Sequence, residues 1–187
     1  KIGDESTWTW SVDHEQQTAD LTSGTKNLVF FNTYTRNTGA LKITKTVAGA
    51  GADLATDKTY TFEIMASESV KTHVAGKTFG QARFDGNGKA EVLVPMNGSK
   101  SASVIIEDLP AGSYTVTEKV LDSNNVTNYE LTTSEGQTVT VTTGTTPIEV
   151  EITNTYKTPD EKPTQILTIE KRVSGLVFGG EAAGKEY

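Results

Sequence analysis

Apolar and polar positions alternate along most of the chain, so that residues two apart share character and immediate neighbours do not. A period of two marks a β-strand with one buried face, and no stretch keeps a helical spacing over several turns. The alternating runs are rich in Thr, Val, Ile and Tyr and are separated by Gly, Pro, Asn and Asp, the residues that turns require. Strands are predicted near residues 39–47, 58–67, 89–95, 101–107, 112–120, 127–132, 138–142 and 148–156. Asp85-Gly86-Asn87-Gly88 supplies residues tolerant of positive φ, as a tight hairpin needs. The pattern predicts an all-β sandwich or barrel. Near the start, Trp8 and Trp10 alternate with Thr7 and Thr9 on a further strand, and two indoles on one face read as core or as a contact between modules.

Parts of this pattern recur. Leu167-Thr168-Ile169-Glu170-Lys171-Arg172-Val173-Ser174-Gly175 repeats Leu41-Lys42-Ile43-Thr44-Lys45-Thr46-Val47-Ala48-Gly49, and Phe31-Asn32-Thr33-Tyr34 is echoed by Thr153-Asn154-Thr155-Tyr156. Fixed-order repeats indicate a tandem array. Only residues 39–157 hold both an opening and a closing motif, so they are expected to form one complete module. Residues 1–35 then read as the last part of a preceding module and residues 165–187 as the first part of a following one. Between them, residues 158–164 form a short linker stiffened by Pro159 and Pro163.

Charge and composition narrow the function. With 17 Lys and Arg against 24 Asp and Glu, the net charge is −7 and no basic stripe interrupts it, which argues against nucleic acid as a partner. No apolar run is long enough to span a membrane, and any targeting or anchoring signal is expected outside these residues. The chain has no cysteine, so either its compartment is reducing or a covalent device other than a disulfide staples it. His14 and His73 are far apart and read as surface residues, and the Asp85 turn lacks the later carboxylates of a calcium loop. No metal and no cofactor is expected.

Candidate chemistry comes from polar residues that fall in register with apolar ones. Lys45 shares its strand face with Leu41, Ile43 and Val47; Glu118 with Tyr114 and Val116; Asn154 with Val150, Ile152 and Tyr156. An unpaired charge or amide is expensive on such a face, so the three are expected to meet one another. If they meet, desolvation lowers the lysine pKa and raises that of the glutamate, and a proton passes from Lys45 to Glu118. The neutral amine is a nucleophile toward the Asn154 amide. Protonated Glu118 polarises that amide and shuttles protons as ammonia departs, leaving an amide between Lys45 and Asn154. Such a bond would tie together the points where the chain comes into the module and leaves it.

The three motifs, Leu41 to Val47 around Lys45, Asp108-Leu109-Pro110-Ala111-Gly112-Ser113-Tyr114-Thr115-Val116-Thr117-Glu118, and Val150-Glu151-Ile152-Thr153-Asn154-Thr155-Tyr156, together resemble the CnaB-type modules of Gram-positive surface adhesins and pilins. The resemblance implies a Greek-key, immunoglobulin-like β-sandwich in tandem repeats, with a spontaneous isopeptide bond between Lys45 and Asn154 and Glu118 as its catalytic acid. It implies a structural stalk or shaft repeat of a cell-surface adhesin or pilus-like fibre, outside the cell at the Gram-positive wall, and not a turnover enzyme. The partners implied are adjacent repeats, self-association in a fibre and an unspecified host ligand, without membrane insertion of this segment. Asn32 and Lys171 are the corresponding residues of the flanking parts; neither has a complete set of partners here, so one bond is expected in this chain. The alternative is a ligand-binding β-sandwich that recognises a host protein or carbohydrate, which would present an exposed aromatic cluster or concave pocket.

Overall fold

The structure, a computed structural model, describes residues 8–159 apart from positions 21 and 23. In chain order its elements are β1 (Trp8–Val12), β2 (Asn32–Arg36), β3 (Thr38–Ala48), β4 (Thr59–Ala66), α1 (Glu68–Val74), β5 (Thr78–Phe79), β6 (Ala82–Arg83), β7 (Lys89–Pro95), β8 (Ser101–Pro110), β9 (Gly112–Lys119), β10 (Glu130–Thr133), β11 (Gln137–Val141) and β12 (Ile148–Lys157). Eight of these strands stack as two four-stranded sheets, ordered β10-β12-β3-β8 and β11-β9-β4-β7. The protein is therefore an all-β sandwich, as the alternation predicts. The major strands switch sheets at every step except β4 to β7.

The two inner faces make the core. Leu41, Ile43 and Val47 of β3 and Val150, Ile152 and Tyr156 of β12 meet Tyr60, Phe62 and Ile64 of β4 and Tyr114 and Val116 of β9, all essentially inaccessible to water. These are the period-two positions of the sequence, and each buried aliphatic side chain contributes about 1.5 to 3 kcal/mol of transfer free energy. β12 runs parallel to β3, with Ile148 opposite Leu41 and Thr155 opposite Ala48, whereas every other strand pair is antiparallel. First and last strands of the sandwich thus lie side by side pointing the same way. The repeated glycine of the opening motif has a steric reason: Gly49 has φ of 88°, and a Cβ there would stand 2.3 Å from the Tyr156 carbonyl oxygen.

Some details depart from the alternation. The strand predicted near 127–132 starts only at Glu130, because Asn128 turns the chain with φ of 67°. α1 leaves no mark in the pattern: its seven residues present only Val70 and Val74 to the core, too little for a helical period to show. In the Asp85 turn, Oδ1 of Asp85 accepts the backbone N–H groups of Asn87 at 2.8 Å and Lys89 at 2.9 Å, so the carboxylate serves the turn. The strands β1 and β2 form a separate antiparallel pair, with Trp10 opposite Tyr34. The two indoles do not share one environment. Trp8 packs edge-on to His73 of α1, with centroids 5.2 Å apart, while Trp10 is 57% exposed. Arg36 covers Trp8 and donates through Nε to the Ala111 carbonyl at 2.9 Å, tying the small sheet to the β8–β9 corner. Among the described residues no helix is long and apolar enough to cross a membrane.

Candidate functional site

Lys45 lies on β3, an inner strand of its sheet, between Ile43 and Val47 on the core face, and is fully buried. Lys42 points the other way and pairs with Glu149 at 2.9 Å on the outer face, as the period of two requires. Next to β3, β12 carries Asn154, also fully buried, with Ile152 opposite Lys45 and Asn154 opposite Val47. Glu118 comes from the other sheet, on β9 opposite Phe62 of β4. Its carboxylate spans the gap: Oε2 accepts from Lys45 Nζ at 2.6 Å and Oε1 accepts from Asn154 Nδ2 at 2.7 Å. One carboxylate therefore holds an amine and an amide that belong to adjacent strands.

Burial pushes the Lys45 ammonium down to about 8 from its ordinary 10.5, with the hydrogen bond and charge of Glu118 working in the opposite direction. At neutral pH an ordinary lysine is uncharged about once in three thousand, whereas a lysine near 8 is uncharged about once in ten. The site thus brings the amine close to nucleophilic form while keeping it paired.

The Asn154 amide is incompletely bonded. Its Oδ1 is buried with no hydrogen-bond partner, and an unsatisfied buried acceptor costs about 1 to 3 kcal/mol. The orientation and the proton are linked. With Glu118 ionised, Nδ2 must face it, because two unprotonated oxygens repel; with the Lys45 proton on Glu118, a half-turn of the amide lets Oδ1 accept from the carboxyl group and ends its isolation.

A hydrogen-bonded chain lies beside the trio. The hydroxyls of Tyr60 and Tyr156 are 2.8 Å apart, and Tyr156 Oη donates to the Asn124 carbonyl at 2.7 Å. The Tyr60 ring face lies 4.6 Å from Lys45 Nζ. Burial pushes both phenols above their ordinary value. Sequence reasoning singled out neither Tyr60 nor Asn124. Tyr60 reads only as a core aromatic in an alternating run, and Asn124 sits in a polar loop where nothing marks it as buried.

The remaining candidates lie elsewhere. Asn32 is exposed on β2, opposite Val12 in the small sheet. Lys171, the 165–187 segment and positions 160–164 of the linker are outside the described residues. His14 is exposed, 3.2 Å from Asp13. Among the described residues no cluster of His, Asp and Glu is arranged to hold a metal ion.

Residues 41–157 match the family model of a domain of unknown function, DUF5979, and so account for well over half of the chain. The chain belongs to the DUF5979 family. The matched span holds Lys45, Glu118 and Asn154 together. No curated protein sequence matches the DUF5979 chain. Among solved structures it is similar to a pilus-presented adhesin at 24% identity and a TM-score of 0.41, over 65% of this chain and 27% of that one. It is similar to the major pilin T3.2 from Streptococcus pyogenes at 19% identity and a TM-score of 0.39, over 85% of this chain and 65% of the pilin. The TIE protein of Bacillus anthracis is similar at 20% identity with a TM-score of 0.37, over 70% of this chain and 20% of that one. The chain thus spans about a quarter of the adhesin.

Proposed function

We propose that the DUF5979 sandwich is a shaft module of a surface fibre or adhesin, and that it staples itself with an isopeptide bond between Lys45 and Asn154. The observation that carries this reading is the Glu118 carboxylate, which holds Lys45 Nζ and Asn154 Nδ2 at 2.6 and 2.7 Å inside a core closed to water. In the reaction Lys45 gives a proton to Glu118 and its neutral Nζ attacks Asn154 Cγ. Glu118, having polarised Oδ1, passes that proton to Nδ2 as the C–N bond breaks and takes up the second Nζ proton, which departs with the ammonia as ammonium. One amide is consumed, one is formed, and the carboxylate is regenerated. Proximity supplies the rate, since effective molarities in well-oriented intramolecular reactions reach about 10⁵ to 10⁸ M. The chemistry happens once per chain.

The topology gives the bond a purpose. β3 and β12 are parallel neighbours, so tension applied along the chain enters through one and leaves through the other, and a bond between them bypasses every strand in between. It closes a loop of about 110 residues, worth on the order of 4 to 5 kcal/mol by analogy with disulfide loop entropy. Reductants do not cleave it, which suits a chain without cysteine. Residues 39–157 are the complete module in this reading. Residues 1–35 belong to a preceding module and 165–187 to a following one, separated by the 158–164 linker. The resemblance of the three motifs to CnaB-type modules supports a place at the Gram-positive cell surface, with adjacent repeats and fibre neighbours as partners. Within residues 39–157 the large exposed hydrophobics described, such as Leu54, Leu93 and Ile105, include no aromatic ring; the exposed aromatics Trp10, Phe30, Phe31 and Tyr34 lie before that span.

Intact mass tests the proposal. The purified chain should be lighter than its sequence by one ammonia, while Lys45→Ala and Glu118→Ala should match theirs. A parent chain at full mass would leave the trio a hydrogen-bonded cluster and end the isopeptide reading.

A further inference from the structure

Two buried tyrosine hydroxyls and a buried asparagine beside the trio are bonded to one another in a chain. Their proton directions are fixed. Tyr156 spends its single hydroxyl proton on the Asn124 carbonyl, so the 2.8 Å contact between hydroxyls requires Tyr60 to be the donor and Tyr156 the acceptor. Asn124 is itself fastened: its Oδ1 accepts from Leu121 N at 2.9 Å, and its Nδ2 donates to the Thr59 carbonyl at 3.1 Å, immediately before Tyr60 on β4. The chain of bonds runs from β4 to β12 to the loop after β9 and back to β4. It locks the Tyr60 ring with its face 4.6 Å from Lys45 Nζ.

A ring face in that place has a particular chemical value. It favours an ammonium electrostatically but has no lone pair to take a proton, so Glu118 is left as the base to which Lys45 yields. A side chain with a hydroxyl, amide or carboxylate there would offer the amine a second acceptor and draw it away from Asn154. We propose that Tyr60 is a positioning residue for the Lys45 amine, held in place by the Tyr60–Tyr156–Asn124 chain. This inference rests on the isopeptide reading and adds to it the residues that aim the nucleophile.

The test follows ammonia loss by intact mass after cell-free synthesis of the full chain, so that the unreacted form is seen. The parent is compared with Tyr60→Phe, Tyr156→Phe, the double variant and Tyr60→Leu, with near-ultraviolet circular dichroism as the check on folding. Tyr60→Phe and Tyr156→Phe are expected to react about tenfold more slowly, within the range that small misplacements of reacting groups produce. Because both act through one chain, the double variant should be no slower than the slower single. Tyr60→Leu removes the ring face, so the amine should also lose its proton at lower pH and the pH profile of the rate should shift downward. The groups facing Lys45 in that profile are Glu118 and Tyr60, with Tyr156 behind them. A merely structural role would not move that profile. Folded Tyr60→Phe and Tyr156→Phe chains that react at the parent rate overturn the inference while leaving the isopeptide reading intact; a parent that never loses ammonia overturns the isopeptide reading first.

Discussion

The sequence Asn-Thr-Tyr occurs twice, at Asn32 on β2 and at Asn154 on β12, and the two copies live in opposite surroundings. On β12 the asparagine and the tyrosine two residues on are both fully buried. On β2 Asn32 is exposed, Tyr34 is 44% exposed, and the apolar run before them, Leu28 to Phe31, is open to water as well. β12 lies between β10 and β3 in a sheet roofed by a second sheet, whereas among the described residues β2 pairs with β1 alone. The motif therefore specifies a strand and not a site. What makes Asn154 reactive in this account is a lysine on the neighbouring strand and a glutamate from the facing sheet, whereas the described strand beside Asn32 places Val12 opposite it.

The largest contrast should come from deleting each asparagine. Asn154→Ala is expected to abolish the ammonia deficit and to lower the unfolding free energy by about 4 to 5 kcal/mol through loss of the loop closure. Asn32→Ala should retain the deficit and change stability by no more than about 0.5 kcal/mol, as exposed substitutions do; chemical denaturation with parallel mass measurement reads both. Next in size is the acid. Glu118→Ala should slow bond formation by about 10² to 10⁴, the usual contribution of a positioned acid–base group, seen as persistence of the full-mass species over time.

The pH dependence sharpens the same comparison. The reactive pair, neutral Lys45 with protonated Glu118, contains as many protons as the ion pair from which it forms, so its share is constant while the pair keeps one proton. Lys45 sits near 8; above that the pair loses this proton, no acid remains, and the rate should fall about tenfold per pH unit. A rate that climbs through pH 8 instead would mean that a free amine suffices without Glu118. The smallest effect concerns the two tyrosines. Tyr156→Phe leaves the Asn124 carbonyl and Tyr60 hydroxyl short of a partner and should cost about 1 to 3 kcal/mol, measured by denaturation in the Lys45→Ala background to remove the bond. Tyr34→Phe, half exposed, should stay within about 0.5 kcal/mol.

Much of this was legible in the sequence because burial leaves a period. Lys45, Glu118 and Asn154 stand out as polar residues on faces otherwise apolar, and Lys42 is excluded by the same count, since its neighbours on the core face are Leu41 and Ile43. What the period does not carry is which strands are neighbours. The parallel pairing of β3 with β12 and the arrival of Glu118 from the facing sheet are tertiary facts, settled by packing between residues about 70 and 110 positions apart. Asn124 illustrates a second limit. A buried polar residue in a loop has no alternating frame around it, so only its partners, Leu121 N and the Thr59 carbonyl, reveal it. The helix α1 is a third case, because one pair of valines is all the pattern its length allows.

The most direct test of the central claim is to pull a single chain from its two ends. If Lys45 and Asn154 are joined, the residues between them never bear the load, and the parent should show no lengthening step from the sandwich. Lys45→Ala should release about 110 residues, a step on the order of 350 Å at the reach of an extended chain. A parent chain that lengthens by the same step as Lys45→Ala would contradict the account.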